Sequence, residues 1–512
     1  MSRLVELSAT ILASPLSFLL LLVLGYLLIV FKRKDSKGNS SSSPSPYPSP
    51  PGPWGVPLLG NLLQLTQKPH RKLTEYQKQY GDVYQIMMGS RPAVILNGFN
   101  TAWKACVKQA DEFAGRPDFY TFKVIGNGKS MGFGDYGKRW KMHRRIAQNA
   151  LSTFANKRVN PIEDIIANEA NVLVTHLLKE GKKPFNPHNE IYLSVGNIIC
   201  AICFGKRYQR DDPDFLKLVE LNDTFMAYAA AGNPVDILPW TRPLLTRSLN
   251  KFVGILEIMN KFCAKKQQEH LDTYTPDVMR DVTDILIRTV QETPEEEKEE
   301  AGLTDEHILT TVQELIGAGF DTISSTLQWS VLYLMTHKLV QERAHREIER
   351  VVGLERDPLM EDLAKLPYTE AVILEVMRHS CIFPLALPHS TTRDTTLNGF
   401  FIPKDTLVLI NLWSVNRDGE VFADPERFYP DRFLDDSGSI NREMAEKFLP
   451  FGAGRRRCPG EQLAKMEVFL FIATIIQKCR FEVPEGQQPS LDSKYGLTLK
   501  PVDFETCVFA RV

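Results

Sequence analysis

The sequence is poor in cysteine, nearly neutral and free of internal repeats, and each lack removes a class of protein. Its 512 residues hold 8 cysteines at irregular spacing. A disulfide framework is dense in a short secreted chain, so these read as reduced thiols on the cytosolic side of a membrane. Lys and Arg (61) balance Asp and Glu (62) to a net charge of -1, and no strongly basic domain stands out, which argues against nucleic acid as a partner. No period of 20–50 residues recurs, which excludes a solenoid or propeller. No G-x-G-x-x-G precedes a helix, so the chain brings no flavin or dinucleotide site of its own.

One long apolar run is present. Ile11 to Phe31 carries no charge and is followed at once by Lys32-Arg33-Lys34. About 20 such residues cross a bilayer as a helix. The basic cluster stays cytosolic by the positive-inside rule. A cleaved leader would be shorter and carry a small-x-small site. Residues 1–34 therefore read as a membrane anchor, 35–52 as a Ser/Pro-rich tether that stiffens toward polyproline II, and 53–512 as one catalytic body starting near Pro53.

The body is mostly helical by pattern. The longest helix is expected from Thr304, as N-cap, through His337. Strand pairs are expected around Gly89-Ser90 and around Asn398-Gly399. The acidic run PEEEKEE, Pro294 to Glu300, reads as a solvated loop. Cys200 and Cys203, in the apolar VGNIICAICFG, read as buried small hydrophobes rather than a redox pair.

Chemistry concentrates in FLPFGAGRRRCPGEQLAKMEVFL, Phe448 to Leu470. Cys458 follows three arginines, sits among glycines and precedes a strong helix pattern. A helix N-terminus and cationic neighbours favour its thiolate. A thiolate can ligate iron or attack an electrophile. A nucleophile wants a partner His, and zinc wants further Cys/His ligands at matched spacing. Neither lies near Cys458, and from this stretch alone the chemistry stays open.

Phe451-x-x-Gly454-x-Arg456-x-Cys458-x-Gly460 resembles the haem-binding signature of the cytochrome P450 superfamily. Three further motifs in the right order carry the same resemblance. Glu375 and Arg378 in LEVMRHS, with Arg427 in ADPERFYPDRF, resemble the family's buried charge network. Ala318-Gly319-Phe320-Asp321-Thr322 resembles its oxygen-activation motif. Trp140 and Arg144 fill its W-x-x-x-R pattern.

The resemblance implies a mainly α fold with small β-sheets (α+β) and haem b as cofactor. Cys458 would be the iron ligand, with Phe451, Gly452 and Gly460 shaping its loop. Arg456, Arg144, Trp140, Arg116 and His389 would serve the two propionates. Glu375, Arg378 and Arg427 would be structural. The implied reaction is monooxygenation, in which Asp321 and Thr322 deliver protons. Electrons would come from NADPH–cytochrome P450 reductase, with cytochrome b5 as a second donor. The reductase would dock on a basic face of Lys138, Arg139, Lys141, Arg145 and Arg455. The chain would sit in the endoplasmic reticulum membrane, in contact with lipid, with its catalytic domain cytosolic.

FAGRPDFYTF, RRIAQNAL, GNPVDILPW and LPHSTTRDTTLNGFFIPKDT are most similar to family 1, whose members act on aromatic hydrocarbons. A flat apolar pocket is expected from Phe122, Phe225, Phe320, Ala318, Gly319 and Leu387. Planar aromatic xenobiotics, steroids or fatty acids are the expected substrates. A steroid 17-hydroxylase is the competing reading. A haem-thiolate protein that binds ligands without oxygenating them is the third.

Overall fold

The computed structural model describes residues 45–65, 67–155, 162–228 and 233–511. The anchor expected at residues 1–34, and tether residues 35–44, lie outside this set. No helix among the described residues is long and apolar enough to cross a membrane.

The organising element is a helix of 32 residues, α9 (Asp305–Thr336). Thr304 starts it in extended conformation, and its N–H donates to Nδ1 of His307, 3.2 Å away. From Phe320 to Met335 nearly every side chain is buried, as expected of a helix apolar on all sides. Before α9 in the chain come α1 (Pro69–Tyr80), α2 (Lys138–Ala155), α3 (Ile162–Glu180), α4 (His188–Phe204), α5 (Pro213–Tyr228), α6 (Thr246–Thr273), α7 (Val282–Glu292) and α8 (Glu295–Ala301). After it come α10 (Lys338–Val351), α11 (Pro367–Ser380) and α12 (Glu461–Lys478).

Helix α4 lies against α9 at unusually close range, and two glycines permit it. A Cβ on Gly196 would stand 2.5 Å from Cε1 of Phe320, and one on Gly319 would stand 2.4 Å from Cδ1 of Ile199. Each helix thus accepts a side chain of the other. Cys200 and Cys203 are fully buried on α4, as their apolar surroundings predict.

The main sheet has the order β1 (Val83–Met88), β2 (Arg91–Leu96), β6 (Leu407–Ile410), β3 (His389–Ser390). Strands β1 and β2 pair antiparallel with Val83 opposite Leu96, and Gly89 turns the hairpin at φ 62°. Strand β6 joins β2 in parallel, Ala93 opposite Leu407. The expected second hairpin is β4 (Thr395–Leu397) with β5 (Phe400–Ile402). Asn398 (φ 48°) and Gly399 (φ 83°) supply its left-handed turn. Two further strand pairs, β7 (Cys479–Glu482) with β10 (Cys507–Ala510) and β8 (Ser493–Tyr495) with β9 (Leu499–Pro501), complete a mainly helical α+β architecture.

Two expectations are corrected. Tether residues already belong to the packed body: the N–H of Phe401 donates to Pro48 O (2.8 Å), that of Gln85 donates to Pro51 O (2.7 Å), and Pro50 is buried. Proline cannot donate to a ladder but its carbonyl can accept. The acidic run is a helix, α8, ended by Gly302 in the left-handed conformation. It packs beside α2, where Lys138 reaches Glu300 at 3.3 Å and Arg145 reaches Glu297 at 4.0 Å. Both pairs are exposed and contribute little, whereas glutamates in the first turn suit a helix N-terminus.

Candidate active site

The loop before α12 is shaped by glycine and closed by the cysteine itself. Gly454 has φ 66°, and a Cβ there would lie 1.6 Å from the carbonyl oxygen of Cys106. Gly452 also adopts positive φ, 68°. The N–H of Cys458 donates to Phe451 O at 2.8 Å, and Gly460 is the N-cap of α12. Cys458 is the exposed cysteine; the other seven are buried. Burial of the thiol by the surrounding loop raises its pKa, against the lowering action of the Gly460 N–H, Arg144 and Arg457. Arg457 is engaged by Glu461 at 2.5 and 2.7 Å, and Arg455 by Asp111 at 2.9 Å.

Three arginines gather beside this loop. Arg456 donates to the carbonyls of Ala114 (2.8 Å), Met131 (3.2 Å) and Gly134 (2.8 Å). Arg116 donates to Gly132 O (2.9 Å) and Pro388 O (3.0 Å), and Arg144 donates to Arg457 O. Among the described residues none of the three has a carboxylate within 4.0 Å. Desolvation, then repulsion from neighbouring arginines, lowers Arg116 to about 9 and Arg456 well below its ordinary value, and desolvation alone lowers Arg144. Arg116 is buried and Arg144 and Arg456 are half-buried, and guanidinium groups so withdrawn from water without a carboxylate partner are costly unless they meet an anion.

Trp140 orders this cluster rather than reaching past it. Its Nε1–H donates to Met131 O at 2.8 Å, and its ring lies 4.2 Å from the Arg456 guanidinium and 5.4 Å from that of Arg144. The indole donor thus goes to Met131 O in this structure, and the ring packs on both guanidinium groups. His389 is brought close because Ser390 pairs with Gly115. Its Nδ1–H is given to Phe113 O at 2.6 Å. Burial, then the charge of Arg116, holds the ring neutral, so Nε2 is an acceptor and not the cationic donor expected.

On α9 a stripe of less buried residues interrupts the core. Ala318 is exposed, and Glu314 and Thr322, one turn to either side, are half-buried. Thr322 donates its hydroxyl proton to Ala318 O at 2.9 Å. Asp321 faces the other way and is fully buried. The Thr498 hydroxyl donates to it, and Lys500 ion-pairs with it at 2.6 Å while also pairing with Asp223 at 2.6 Å. Burial opposes the charge on Lys500, but the two carboxylates prevail and raise its pKa. Asp321 thus reaches the outside through Lys500 and not directly.

The expected pocket divides. Phe122 forms an aromatic group with Phe119 (5.2 Å) and Phe133 (4.7 Å). Phe225 packs near Phe252 at 6.1 Å, and Leu387 is half-buried in the loop before β3. Phe320 is fully buried and wedged against Gly196 and Tyr192, so it belongs to the α4–α9 contact. Gly319 likewise makes room for Ile199, not for a ligand. Ala318 alone of this pair opens the helix surface.

Behind the site, Glu375 and Arg378 are fully buried and joined at 2.7 and 2.9 Å. The third charged member is Arg432, at 3.2 Å from Glu375, and not Arg427. Arg427 lends its backbone carbonyl to Arg378 and Arg432, while its guanidinium lies 4.9 Å from the Tyr429 ring. The signal was in the sequence: Pro430-Asp431-Arg432-Phe433 repeats the P-x-R-F pattern of Pro425-Glu426-Arg427-Phe428. Lys500 and Thr498 carried no comparable local signal, since nothing near them in sequence marks them for Asp321.

These features fit a flat dianionic cofactor: an exposed cysteine on a glycine-shaped loop, three arginines with no carboxylate within 4.0 Å among the described residues, and a helix opened at Ala318. They define a haem-thiolate protein. The chain belongs to the cytochrome P450 family, whose model, described as Cytochrome P450, matches residues 50–508. It is 44% identical over 460 residues to cytochrome P450 1A1 of Homo sapiens, covering 88% of this chain and 90% of that protein. Cytochrome P450 1A5 of Gallus gallus is 43% identical over 461 residues, covering 88% and 87%. Cytochrome P450 1A1 of Rattus norvegicus is 43% identical over 461 residues, covering 88% of each. These likenesses place it with family 1, as a monooxygenase with haem b as its cofactor.

Proposed function

We propose that this protein oxygenates planar aromatic xenobiotics at the cytosolic face of the endoplasmic reticulum. It would draw electrons from NADPH–cytochrome P450 reductase, with cytochrome b5 as an auxiliary donor. Residues 1–34 would be its lipid-embedded anchor and 53–512 its catalytic domain. The observation that carries the reading is Cys458, the exposed cysteine, beside three arginines with no carboxylate within 4.0 Å among the described residues. Bound haem supplies the oxygen activation that places one oxygen atom in a substrate and releases the other as water.

The chain's own residues bind, orient and move protons. Cys458 holds the iron as thiolate, a state that metal binding enforces against the desolvation of the free thiol. Arg456, Arg144 and Arg116 hold the carboxylates with charge-assisted bonds. Thr322 keeps its proton on Ala318 O, one helical turn back, and rotation of χ1 would turn the hydroxyl to the reacting side. Asp321, on the other side of the helix, would exchange protons with solvent through Lys500 and Asp223. Phe122 and its partners Phe119 and Phe133, with Ala318 and Leu387, would hold a flat substrate by area burial and ring stacking.

The basic surface of α2 remains the proposed reductase face, tempered by the glutamates of α8. The test is a reduced-CO spectrum of the full chain, followed by turnover with reductase and NADPH. A red-shifted Soret band that Cys458→Ala abolishes is expected. Alkoxyresorufins and fused-ring hydrocarbons should be oxidised in preference to progesterone. Preferred oxidation of progesterone sinks the family 1 substrate reading, and a Soret band surviving Cys458→Ala sinks the ligand assignment.

A further inference from the structure

Residues 130–134 form a loop whose two faces are used for different purposes. On one face its hydrogens go to a single carboxylate, that of Glu314 on α9. Oε1 accepts from Ser130 Oγ (2.5 Å) and the Gly132 N–H (2.8 Å), and Oε2 accepts from the Met131 N–H (2.9 Å). On the other face its carbonyls receive the cluster described above. Met131 O takes Trp140 Nε1–H at 2.8 Å and Arg456 at 3.2 Å, Gly132 O takes Arg116 at 2.9 Å, and Gly134 O takes Arg456 at 2.8 Å.

One peptide plane joins the two faces. The group between Met131 and Gly132 gives its N–H to Glu314 and its C=O to both Trp140 and Arg456. A carboxylate on the N–H end polarises the peptide and strengthens the carbonyl as an acceptor. Planarity means that moving one end moves the other. The loop has little slack: a Cβ on Gly132 would stand 3.2 Å from Glu314 Oε1, and one on Gly134 would stand 2.3 Å from Ser130 O. Glu314 also shares its helix stripe with Ala318 and Thr322 at intervals of four residues, so the same helix face carries the anchor of this loop and the hydroxyl at the reaction side.

We propose that Glu314 is a positioning residue for the cofactor: through the Met131–Gly132 peptide it sets the places of Arg456 and Trp140, and through Gly132 O that of Arg116. This rests on the reading that these arginines hold the haem carboxylates. Glu314 acts through the loop against which the cationic cradle is built.

The test measures haem loss to excess apomyoglobin and amide exchange across residues 130–134, on the full-length holoprotein. Glu314→Gln removes one charged acceptor and keeps the side-chain volume. Haem loss about tenfold faster is expected, the worth of one charge-assisted bond. Exchange across 130–134 should rise while the red-shifted CO band persists, since Cys458 is untouched. Ser130→Ala, a milder change, should accelerate loss about twofold to threefold by removing one donor. In an Arg456→Lys background, Glu314→Gln should add less than it does alone, because both act on one contact. Glu355→Gln, at an exposed position after α10, should leave haem loss unchanged. Haem loss at the wild-type rate in Glu314→Gln, with Arg456→Lys accelerating it, overturns the role of Glu314. Wild-type haem loss in Arg456→Lys overturns instead the assignment of the arginines to the cofactor. Full additivity of the two changes also refutes the proposal.

Discussion

Arg432→Ala should damage this protein far more than Arg427→Ala, although Arg427 stands in the more obvious motif. Glu375 is fully buried; its Oε1 accepts from the Tyr429 N–H (2.7 Å), Arg378 (2.9 Å) and Arg432 (3.2 Å), and its Oε2 from Arg378 (2.7 Å). Arg432 further donates to the carbonyls of Ala423 (2.7 Å), Asp424 (3.2 Å) and Arg427 (2.9 Å). Its side chain is only 6% exposed. Truncating it removes a cation from a buried carboxylate and a donor from three carbonyls, of which Arg427 O keeps Arg378, and this costs about 3–5 kcal/mol by analogy with other broken buried pairs. Truncating Arg427 removes a ring contact and leaves its carbonyl in place, because that acceptor is backbone. About 0.5–1 kcal/mol is expected there. Thermal denaturation of the holoprotein, followed by the Soret band and by far-UV circular dichroism, measures both. Equal or inverted losses for the two variants would refute the assignment of Arg432 as the third member of the network.

Gly319→Ala should destabilise by about 1–3 kcal/mol through its clash with Ile199, and Ile199→Ala in the same chain should restore part of that loss. A shifted substrate profile with unchanged stability would show that Gly319 faces the ligand instead. Glu467, fully buried on α12, has its pKa raised by desolvation from 4.5 to about 8. Its folded value lies above its unfolded one, so its contribution is fully present below about pH 4.5 and is lost as pH rises through about 8. Stability should therefore fall between these limits, by up to about 1.4 kcal/mol per pH unit, and Glu467→Gln should flatten the profile in denaturant titrations at pH 6 and pH 8.5. His270 adds a slope of the same sign. Burial opposes its charge, but Asp281 at 2.8 Å outweighs this and raises its pKa, so its stabilisation is full below pH 6.5 and lost above. His270→Gln should reduce stability more at pH 6 than at pH 9.

Elements with a local cause are legible in the sequence. The hairpins at Gly89 and at Asn398-Gly399 follow from residues that accept positive φ, and α9 follows from a cap and a long apolar pattern. PEEEKEE is as acidic as a solvated loop, yet it is a helix for reasons that are also local: glutamates in the first turn suit a helix N-terminus and Gly302 ends it in the left-handed conformation. Local pattern misleads where a distant surface sets the outcome. Phe320 and Gly319 sit in a functional motif, yet they serve the packing of α4.

The sequence by itself determined the kind of cofactor, but only by several motifs read together: the cysteine loop alone left its chemistry open, and Glu375 with Arg378, Ala318 to Thr322, and Trp140 with Arg144 closed it. It determined the helix that carries Thr322 because a cap and a long apolar pattern are local. Tertiary structure alone decided which arginine completes the network around Glu375, that Asp321 meets solvent through Lys500, and that Glu314 ties a loop to the arginine cradle. Those depend on residues tens to hundreds of positions apart, and no local rule reports which buried charge will find which partner. Burial makes an unpaired charge costly, so the fold settles each pairing only once every neighbour is in place.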